Sequence, residues 1–519
     1  LCVFLPPEEF YSMCSGLSKT QRRLFNFFMT YVMMFKTCLR NNQGEPNPFY
    51  IYLSGGAGVG KSFLINVITE YAKRNLKFHG QNLEQPSIVV TASTGKAASH
   101  INGLTLHSAF HLQVNGNFQK NADFRPPSKE LLQRLWNKYQ YLKLIVVDEI
   151  SMVGERTFNE YLNNMLQLIK RNKEPFGGVS IIASGDFLQL PPVMDRSVFQ
   201  QPRNIGYNSL AGNLWLNHFL IYELKEVVRQ SGDPEFAEIL NRVREGEQTD
   251  ADITKIKALE QTDTTMWPNG FTKVYLTNQL ANMENERCIV ALKTDTIDIN
   301  AKDSARDIEA QTLLVNISDN DLHKTGNLPG KLKICVGARV MLTSNINTSD
   351  KLINGSTGEV KYILMPRGGN NLVGSIYVKF DDPNAGNSLK NNRLKDELKH
   401  CVPITAITKT FPYSSRKRTV TVQRKQFPLK LGHAITGHNA QGATLEYMKG
   451  DFDRTDKYGK TNRVPINPGA AYTILSRAKT RDKLQLLNFE AQHIKVNNLA
   501  LQEIQRMRKN AVFFVATSF

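Results

Sequence analysis

Two short motifs contain the residues best suited to chemistry, and the first is "GGAGVGKS", Gly55 to Ser62. Its spacing is G-x-x-x-x-G-K-[ST], in which glycines let backbone N–H groups curve around phosphate oxygens. The lysine adds positive charge at the phosphates and the hydroxyl supplies an oxygen to Mg²⁺. The motif therefore predicts that a nucleotide binds Gly56, Ala57, Gly58, Val59, Gly60, Lys61 and Ser62, with Ser62 also a metal ligand. The alternative is a glycine-rich turn without a ligand.

The second motif is "LKLIVVDEISM", residues 142–152. Its apolar run brings Asp148 and Glu149 to the end of a strand, where a buried carboxylate needs a cation. We expect Asp148 to hold Mg²⁺ through its hydration shell, and Glu149 to accept a proton from the attacking water as general base. The alternative is an acidic pair that only caps the next helix.

A third stretch, "IIASGDFLQLPPV" (181–193), places Gln189 after an apolar strand and fixes the following backbone with two prolines. An amide at this position can hydrogen-bond the γ-phosphate of a nucleotide and respond when it leaves. Two arginines also end predicted elements, Arg229 in "LKEVVRQ" and Arg477 in "YTILSRAK". Either can act as an arginine finger that stabilises transition-state charge; the alternative for each is a surface or salt-bridge arginine.

The elements that position these residues alternate between strand-like and helix-like segments over the first 230 residues. Four apolar runs, 49–53, 87–91, 142–147 and 179–183, each end in small or polar residues. This pattern predicts an α/β fold in which helices cover a parallel sheet and the site lies at the carboxyl ends of the strands. A second unit begins near residue 226, and turn-rich β-like pieces from about 331 to 426 predict a small all-β insertion. The polar segment 111–127 indicates a hairpin insertion.

Composition favours a globular protein with a polyanionic partner. The chain has 519 residues, a net charge of +18 and 41% hydrophobic residues, which excludes a disordered or fibrous class. The positive charge favours nucleic acid over a membrane surface, although a generally basic surface is the alternative. The apolar stretch 24–35 is too short to span a bilayer and predicts a core helix. The six cysteines form no C-x-x-C pair, so neither a zinc site nor a disulfide framework is indicated.

Together the motifs resemble those of superfamily 1B DNA helicases of the Pif (petite integration frequency) branch. The likeness runs in order from about residue 17 to 488. It comprises "LSKTQ", "GGAGVGKS", "TASTGKAASHINGLTLHSAF", "DEISM", "PFGGVSIIASGDFLQLPPV", "LKEVVRQ", "VGARVMLTSNINTSDKLINGSTGEV", "QFPLKLGHAITGHNAQGATL" and "AAYTILSRAK".

The resemblance implies two RecA-like P-loop domains with parallel sheets, a small inserted β-barrel and a small hairpin insertion. The implied boundaries are 1–48 for an N-terminal helical segment, 49–225 for domain one, 226–330 with 427–519 for domain two, and 331–426 for the barrel. The hairpin, a candidate wedge, would occupy about 108–130. Because the sequence begins at Leu1 rather than Met, we also expect it to be a piece of a longer polypeptide.

The resemblance further implies a monomeric, ATP- and Mg²⁺-dependent motor that moves 5′→3′ on single-stranded DNA and acts at junctions with duplex. It implies family roles in DNA repair, recombination and telomere maintenance, and a nuclear location in a eukaryote. By matched position, Gln21 would read adenine, Gly442 would complete the nucleotide site, and Lys61, Glu149, Gln189, Arg229 and Arg477 would serve catalysis. The positions matched to DNA contacts are Thr94, Gly95, His107, Ser108, Thr436, His438 and Gln441.

One departure from the family pattern concerns the run T-I-H-K-S-Q-G, which here reads Thr436 to Gly442 with Asn439 in place of the lysine. Losing that charge would weaken the grip on DNA or its coupling to ATP. Such differences indicate a divergent member, of the kind carried by a mobile element or virus. Two alternatives to a helicase stay open: a translocase that strips proteins without unwinding, and a nucleic-acid-binding scaffold whose ATPase has decayed. The intact motif residues argue against decay.

Overall fold

The computed structural model describes most of the chain. The described residues are 4–78, 80–82, 84–112, 124–193, 195–201, 212–226, 232–267, 271–305, 325–347, 350–365, 374–391, 397–414, 419–455, 459–460 and 464–511. Arg229 and the centre of the predicted hairpin, 113–123, lie outside them. No helix within these ranges has the length and apolar character needed to cross a membrane.

Domain one is built on six parallel strands in the order β3-β2-β4-β5-β1-β6. The strands are β1 (Tyr50–Gly55), β2 (Ile88–Ala92), β3 (Leu104–Thr105), β4 (Leu144–Asp148), β5 (Ser180–Gly185) and β6 (Leu220–Leu224). The four predicted apolar runs are β1, β2, β4 and β5. Parallel register sets Ser54 beside Gly185 and Ala92 beside Asp148, so the motif-bearing ends meet at one edge.

Helices cover both faces of this sheet, as its fully buried strands require. They are α1 (Pro7–Ser15), α2 (Lys19–Arg40), α3 (Lys61–Asn75), α4 (Gly95–His100), α5 (Leu106–Phe110), α6 (Lys129–Tyr139), α7 (Asn163–Lys170) and α8 (Leu214–His218). Shorter helical turns lie at Ile150–Met152, Arg156–Leu162 and Pro175–Gly178. Helix α2 begins at a reciprocal cap between Ser18 and Gln21 and buries Leu24, Phe28 and Val32, which confirms the predicted core helix.

The chain then enters domain two through α9 (Pro234–Glu245), α10 (Asp250–Ala258), a turn at Leu259–Gln261, β7 (Thr272–Tyr275) and α11 (Asn278–Ala291). Helix α9 starts at Asp233, whose side chain accepts from Phe236 N, and its apolar face packs in the core of domain two. Two bidentate ion pairs, Arg242 with Asp252 and Arg481 with Asp233, fix this helix to the rest of domain two.

The middle of the chain forms antiparallel sheets. Its strands are β8 (Ile297–Asn300), β9 (Lys302–Ala305), β10 (Lys331–Ile334), β11 (Arg339–Leu342), β12 (Thr357–Leu364), β13 (Ser375–Phe380), β14 (Val402–Ile404), β15 (Ile407–Ser414), β16 (Thr419–Gln426) and β17 (Leu429–Leu431). They pair as β14-β13-β12-β11-β17, β15-β16-β9 and β10-β8. The described residues of the predicted insertion, 331–426, thus form strands and turns without a helix. Its sheets also include β8, β9 and β17 from outside those limits, because the edges of these strands complete the sheets.

The chain returns to domain two with β18 (Ala434–Thr436), α12 (Gly437–Ala440), β19 (Met448–Asp451), α13 (Ala470–Leu475), β20 (Leu484–Leu487) and α14 (Asn498–Asn510), with turns at Arg481–Lys483 and Ala491–His493. Strands β18, β7, β19 and β20 form a second parallel sheet in that order. Both sheets are therefore parallel, as expected for RecA-like domains.

The C-terminal helix α14 departs from the predicted domain boundaries. Its buried residues Ala500, Ile504 and Met507 belong to the same core as Trp215 and the strands of domain one. The Trp215 indole donates to Glu503 Oε1 at 3.1 Å, which holds the helix in place. Residues 498–510, expected in domain two, thus pack on domain one because their apolar stripe fits beside β6 and α8.

Candidate functional site

The phosphate loop connects β1 to α3 and takes the shape its glycines allow. Gly58 and Gly60 have φ of 82° and 79°, a left-handed conformation that favours glycine. Lys61 Nζ donates to the carbonyl oxygens of Gly55 and Gly56 at 2.8 and 2.9 Å. Burial lowers the pKa of Lys61, whereas the carboxylates around it, Asp186 first, oppose that change. A cation at the start of a helix, within a loop of backbone donors, fits the phosphates of a nucleotide.

Gln21 braces this loop from α2. Its Nε2 donates to the carbonyl oxygens of Val59 and Gly60, both at 3.3 Å, while its Oε1 accepts from Ser18 N at 2.9 Å. A Cβ on Gly60 would lie only 2.5 Å from Gln21 Nε2, so the contact also requires glycine there. The glutamine predicted to read adenine is thus held against the nucleotide loop.

The acidic pair stands at the end of β4. Ser62 Oγ donates to Asp148 Oδ2 at 3.5 Å, and Glu149 N donates to Asp148 Oδ1 at 3.0 Å. Burial, together with the neighbouring Glu149 carboxylate, raises the pKa of Asp148. Hydroxyl and carboxylate oxygens are the ligands that Mg²⁺ prefers, so the donor set of Ser62 and Asp148 fits this ion. Glu149 has φ 51° and ψ 46°, an uncommon backbone conformation for a side-chain-bearing residue that clusters at functional sites.

Gln189 and Asp186 occupy the turn after β5, and both are buried. Gln189 Nε2 donates to Asp186 Oδ2 in a long bond of 3.5 Å. The amide oxygen of Gln189 has no hydrogen-bond partner among the described residues. A Cβ on Gly469, which precedes α13 of domain two, would lie 2.6 Å from the carbonyl oxygens of Leu188 and Gln189. The backbone of this turn therefore touches domain two directly.

Domain two also touches the acid and the phosphate loop. Gln441 Nε2 donates to Glu149 Oε2 at 3.2 Å and to Ser151 Oγ at 3.1 Å. Tyr472 Oη accepts from Ala57 N at 2.9 Å. Gly442, with φ 77°, lies so close that a Cβ would be 3.3 Å from Glu149 Oε1. Gln441, predicted to contact DNA, thus lies against the predicted general base.

Arg477 lies two residues after the end of α13 and is buried, with 1% of the residue exposed. It donates to the carbonyl oxygens of Thr473 and Ala443 and to Ser476 Oγ, at 2.9, 3.3 and 2.8 Å. Within the described ranges it forms no ion pair with a carboxylate, and burial lowers its pKa. A buried guanidinium that hydrogen-bonds only neutral groups is costly unless an anion joins it.

A second buried arginine, Arg244, was missed by the sequence reasoning. It ends α9 of domain two and forms an ion pair with Asp186 of domain one, with Nη2 to Oδ1 at 2.9 Å. The available signal was its spacing, because Phe236, Leu240 and Arg244 recur every four residues along one buried helix face. An arginine that continues an apolar stripe needs a buried partner.

The residues predicted to contact DNA follow the carboxyl ends of strands in both sheets. Thr94 caps α4 by accepting from Ala97 N, and Ser108 Oγ is bonded to Thr105 Oγ1 at 2.7 Å on the exposed surface. His107 lines a cavity of about 160 Å³, and burial lowers its pKa. Gly95 faces Asn345 of the β11–β12 turn, whose Oδ1 would be 2.9 Å from a Cβ on Gly95.

On domain two, Thr436 ends β18 and His438 begins the helix after it. Burial lowers the pKa of His438, as it does for His107. Both groups of residues therefore stand at the carboxyl-terminal edge of their sheet, where ligands of open parallel sheets bind.

Comparison with known proteins agrees with this geometry. The sequence pattern of the PIF1-like helicase family matches residues 28–254. The ATP-dependent DNA helicase PIF1 of Emericella nidulans is 28% identical over 494 residues, which cover 86% of this chain and 59% of that protein. The chain therefore resembles PIF1-like helicases, by the family pattern over residues 28–254 and by similarity to PIF1 over most of its length. It spans about three fifths of the length of the curated relatives it matches first, 59%, 62% and 64%.

Solved structures confirm the two RecA-like domains. The crystal structure of Pif1 helicase from Candida albicans has a TM-score of 0.66 and 24% identity, covering 95% of this chain and 99% of that one. Pif1 helicase from Bacteroides in complex with ADP-AlF3 and ssDNA has a TM-score of 0.62 and 24% identity, covering 92% and 96%. The predicted fold class is therefore confirmed.

Proposed function

We propose that this PIF1-like chain is an ATP- and Mg²⁺-dependent DNA helicase that moves 5′→3′ along single-stranded DNA. The observation that carries the proposal is the direct contact of domain two with the hydrolytic groups of domain one. Gln441 bonds Glu149, and Tyr472 bonds the phosphate loop at Ala57. Phosphate chemistry at this cleft would change the contacts that join the domains, which is what a motor requires.

We assign nucleotide binding to the phosphate loop, 56–62. Gln21 holds this loop through its hydrogen bonds, and Gly442 of domain two completes the nucleotide site. ATP supplies the phosphoryl group whose transfer to water drives the motor, and Mg²⁺ would be held by Ser62 and Asp148. Glu149 accepts the proton of the attacking water, and Gln189 donates to the γ-phosphate from Nε2, the amide nitrogen whose bond to Asp186 Oδ2 is long at 3.5 Å. Arg477 supplies the positive charge for the transition state, and we retain Arg229 as a second arginine finger.

We assign the DNA track to the strand ends of the two sheets. The hydroxyls of Thr94, Ser108 and Thr436 suit phosphate contacts that do not depend on sequence. His107 and His438, whose pKa values are lowered by burial, are neutral near pH 7 and suit stacking or hydrogen bonding. Gly95 belongs to the domain-one part of this track and Gln441 to the domain-two part, and Gln441 links the track to Glu149.

A translocase that moves without unwinding is the second candidate, since the same cleft and track would serve it. A strand-displacement assay separates the two, with duplexes that carry either a 5′ or a 3′ single-stranded tail. We expect ATP-dependent displacement of the 5′-tailed duplex only. Displacement from the 3′ tail alone would contradict the polarity, and DNA-stimulated ATPase without displacement would favour the translocase.

The matched control is Glu149→Gln, which keeps the size of the side chain and removes the base. This variant should bind ATP and DNA with affinities close to those of the unaltered chain and fail to displace a strand. If its ATPase equalled that of the unaltered chain, the assignment of Glu149 as general base would be wrong.

A further inference from the structure

Arg244 makes a complete bidentate contact with Asp186 across the domain cleft. Nε lies 3.1 and 2.9 Å from Oδ1 and Oδ2, and Nη2 lies 2.9 Å from Oδ1. Side-chain exposure is 7% for the arginine and 0% for the aspartate. Such a fork is the geometry in which a guanidinium binds carboxylate and phosphate groups alike.

Arg244 also stands beside the phosphate loop. A Cβ on Gly56 would lie 3.7 Å from Arg244 Cδ, and the carbonyl of the same glycine accepts from Lys61 Nζ. The Asp186 carboxylate also acts on Lys61 and Arg477. Burial lowers the pKa of both residues, and the negative charge of Asp186 opposes that decrease. Three cations therefore converge on one buried aspartate next to the place where the terminal phosphates bind.

The mounting of Arg244 couples its position to domain two. Helix α9 is fixed within that domain by the Arg242–Asp252 and Arg481–Asp233 pairs, so its last turn moves with the domain. The other side of the guanidinium is retained by Glu245, with Nη1 to Oε1 at 2.9 Å. Arg244 would thus keep one carboxylate partner if it released Asp186.

We propose that Arg244 is a further γ-phosphate ligand, held by Asp186 until the terminal phosphate of ATP takes the place of that carboxylate. The inference rests on the proposed ATPase function and adds a residue and an exchange to it. The γ-phosphate offers more charge and more acceptor oxygens than the carboxylate, so it competes for the fork. ADP lacks this group, so Arg244 stays with Asp186, and the exchange makes domain two respond to the third phosphate.

Nucleotide selectivity measured by binding tests the exchange without turnover. Arg244→Gln should raise the Kd of a non-hydrolysable ATP analogue about tenfold, the loss of one charged contact, and leave the Kd of ADP within about twofold. Asp186→Asn should lower the Kd of the analogue and not that of ADP, because the carboxylate that competes with the γ-phosphate for Arg244 is removed. Arg244→Lys should lie between, since it keeps the charge and loses the fork.

Each single variant leaves a buried charge with one partner fewer, so folding is controlled with the double variant Asp186→Asn/Arg244→Gln, which removes both charges. We expect it to fold and to show the selectivity of Arg244→Gln. Thermal unfolding gives a second readout: the analogue should restore the melting temperature of Asp186→Asn, whereas ADP should not.

The outcomes distinguish this inference from the proposed function. If the variants changed the affinities for analogue and ADP by the same factor, or if both nucleotides restored Asp186→Asn equally, Arg244 would be only an interdomain ion pair. If the unaltered chain bound neither nucleotide, the proposed ATPase function itself would be wrong.

Discussion

The buried arginines of this chain differ in what neutralises them. Arg424 in β16 and Arg477, just after α13, are both 1% exposed. Arg424 is paired with Asp303, with Nε to Oδ1 at 2.8 Å and Nη2 to Oδ2 at 2.7 Å, whereas Arg477 donates to neutral oxygens. A buried arginine with a carboxylate partner is neutralised within the folded chain. A buried arginine without such a partner is suited to binding an anionic ligand. The two residues thus form a natural comparison between structural and functional roles.

Arg477→Met should separate stability from turnover. Because Arg477 donates only to neutral groups among the described residues, its replacement should change the free energy of unfolding by about 1 kcal/mol or less. The ATPase kcat should fall by on the order of 10³-fold, as when an arginine finger is lost. Urea unfolding and steady-state kinetics measure the two quantities.

The control is Arg424→Met, at equal burial in the inserted sheets. This substitution leaves the Asp303 carboxylate without its arginine partner and should lower the free energy of unfolding by about 3 kcal/mol. The ATPase kcat of the folded fraction should not fall. Equal losses of stability in the two variants would contradict the functional role of Arg477.

At the scale of elements, the C-terminal helix α14 joins the two domains. Its apolar face completes the core of domain one, and Arg508 Nη2 bonds Glu223 of β6 and Glu245 of α9 at 2.8 and 2.9 Å. Glu245 in turn holds Arg244. One helix therefore connects the outer strand of domain one with helix α9, which reaches Asp186 beside the phosphate loop.

Ile504→Ala should test the docking of α14 on domain one. The side chain is fully buried, so truncation should cost about 2–4 kcal/mol in the free energy of unfolding. Leu499→Ala on the same helix is the matched control, because Leu499 is 54% exposed and should change stability by less than about 0.5 kcal/mol. Similar small losses for both would mean that α14 is not docked in solution.

His433 connects the inserted sheets with domain two and should make stability depend on pH. Its Nε2 accepts from Arg339 N at 3.0 Å, and burial beside Arg339 and Lys273 lowers its pKa to about 4. The unfolded chain therefore takes the proton first, so this contribution is present above pH 6.5 and is lost as the pH falls toward 4. Between pH 7 and 5 the loss should be about 1 kcal/mol, a value reduced for partial solvent screening. Chemical unfolding of His433→Gln at both pH values should show a smaller loss, and an identical loss would contradict the role.

Sequence reasoning located the elements whose burial is complete. Strands β1, β2, β4 and β5 are continuous apolar runs that end in the quoted motifs, so the strands and the edge of the sheet at which these motifs meet could be predicted. The placement of α14 could not, because an amphipathic stripe such as Ala500, Ile504 and Met507 does not specify which of two cores it joins. The role of Arg244 could not be predicted for the same reason. Its partner Asp186 is 58 residues away in the sequence, and only the folded chain brings the two together.

The whole molecule combines a positive charge of +18 with strand ends that present hydroxyl and imidazole groups. Such a protein holds a polyanion through charge and positions it through neutral groups. DNA affinity and nucleotide affinity should therefore respond differently to salt.

Binding of single-stranded DNA should weaken at least about tenfold between 50 and 200 mM salt, because counterions are released when phosphates bind. The affinity should depend on strand length and little on sequence. Fluorescence anisotropy with labelled oligonucleotides measures both. ADP binding at the same salt concentrations serves as the control, and a DNA affinity that did not change with salt would contradict the electrostatic track.

The packing of α14 on domain one has a consequence for biosynthesis. A ribosome releases residues 49–225 long before residues 500–507, so the core around Trp215 stays incomplete while more than 250 intervening residues emerge. The segments of domain two and the inserted sheets emerge in that interval, whereas the core of domain one is completed only when residues 498–510 emerge. A chain that stops before residue 498 would expose the Trp215 surface to chaperones and proteases, so synthesis of α14 protects domain one from both.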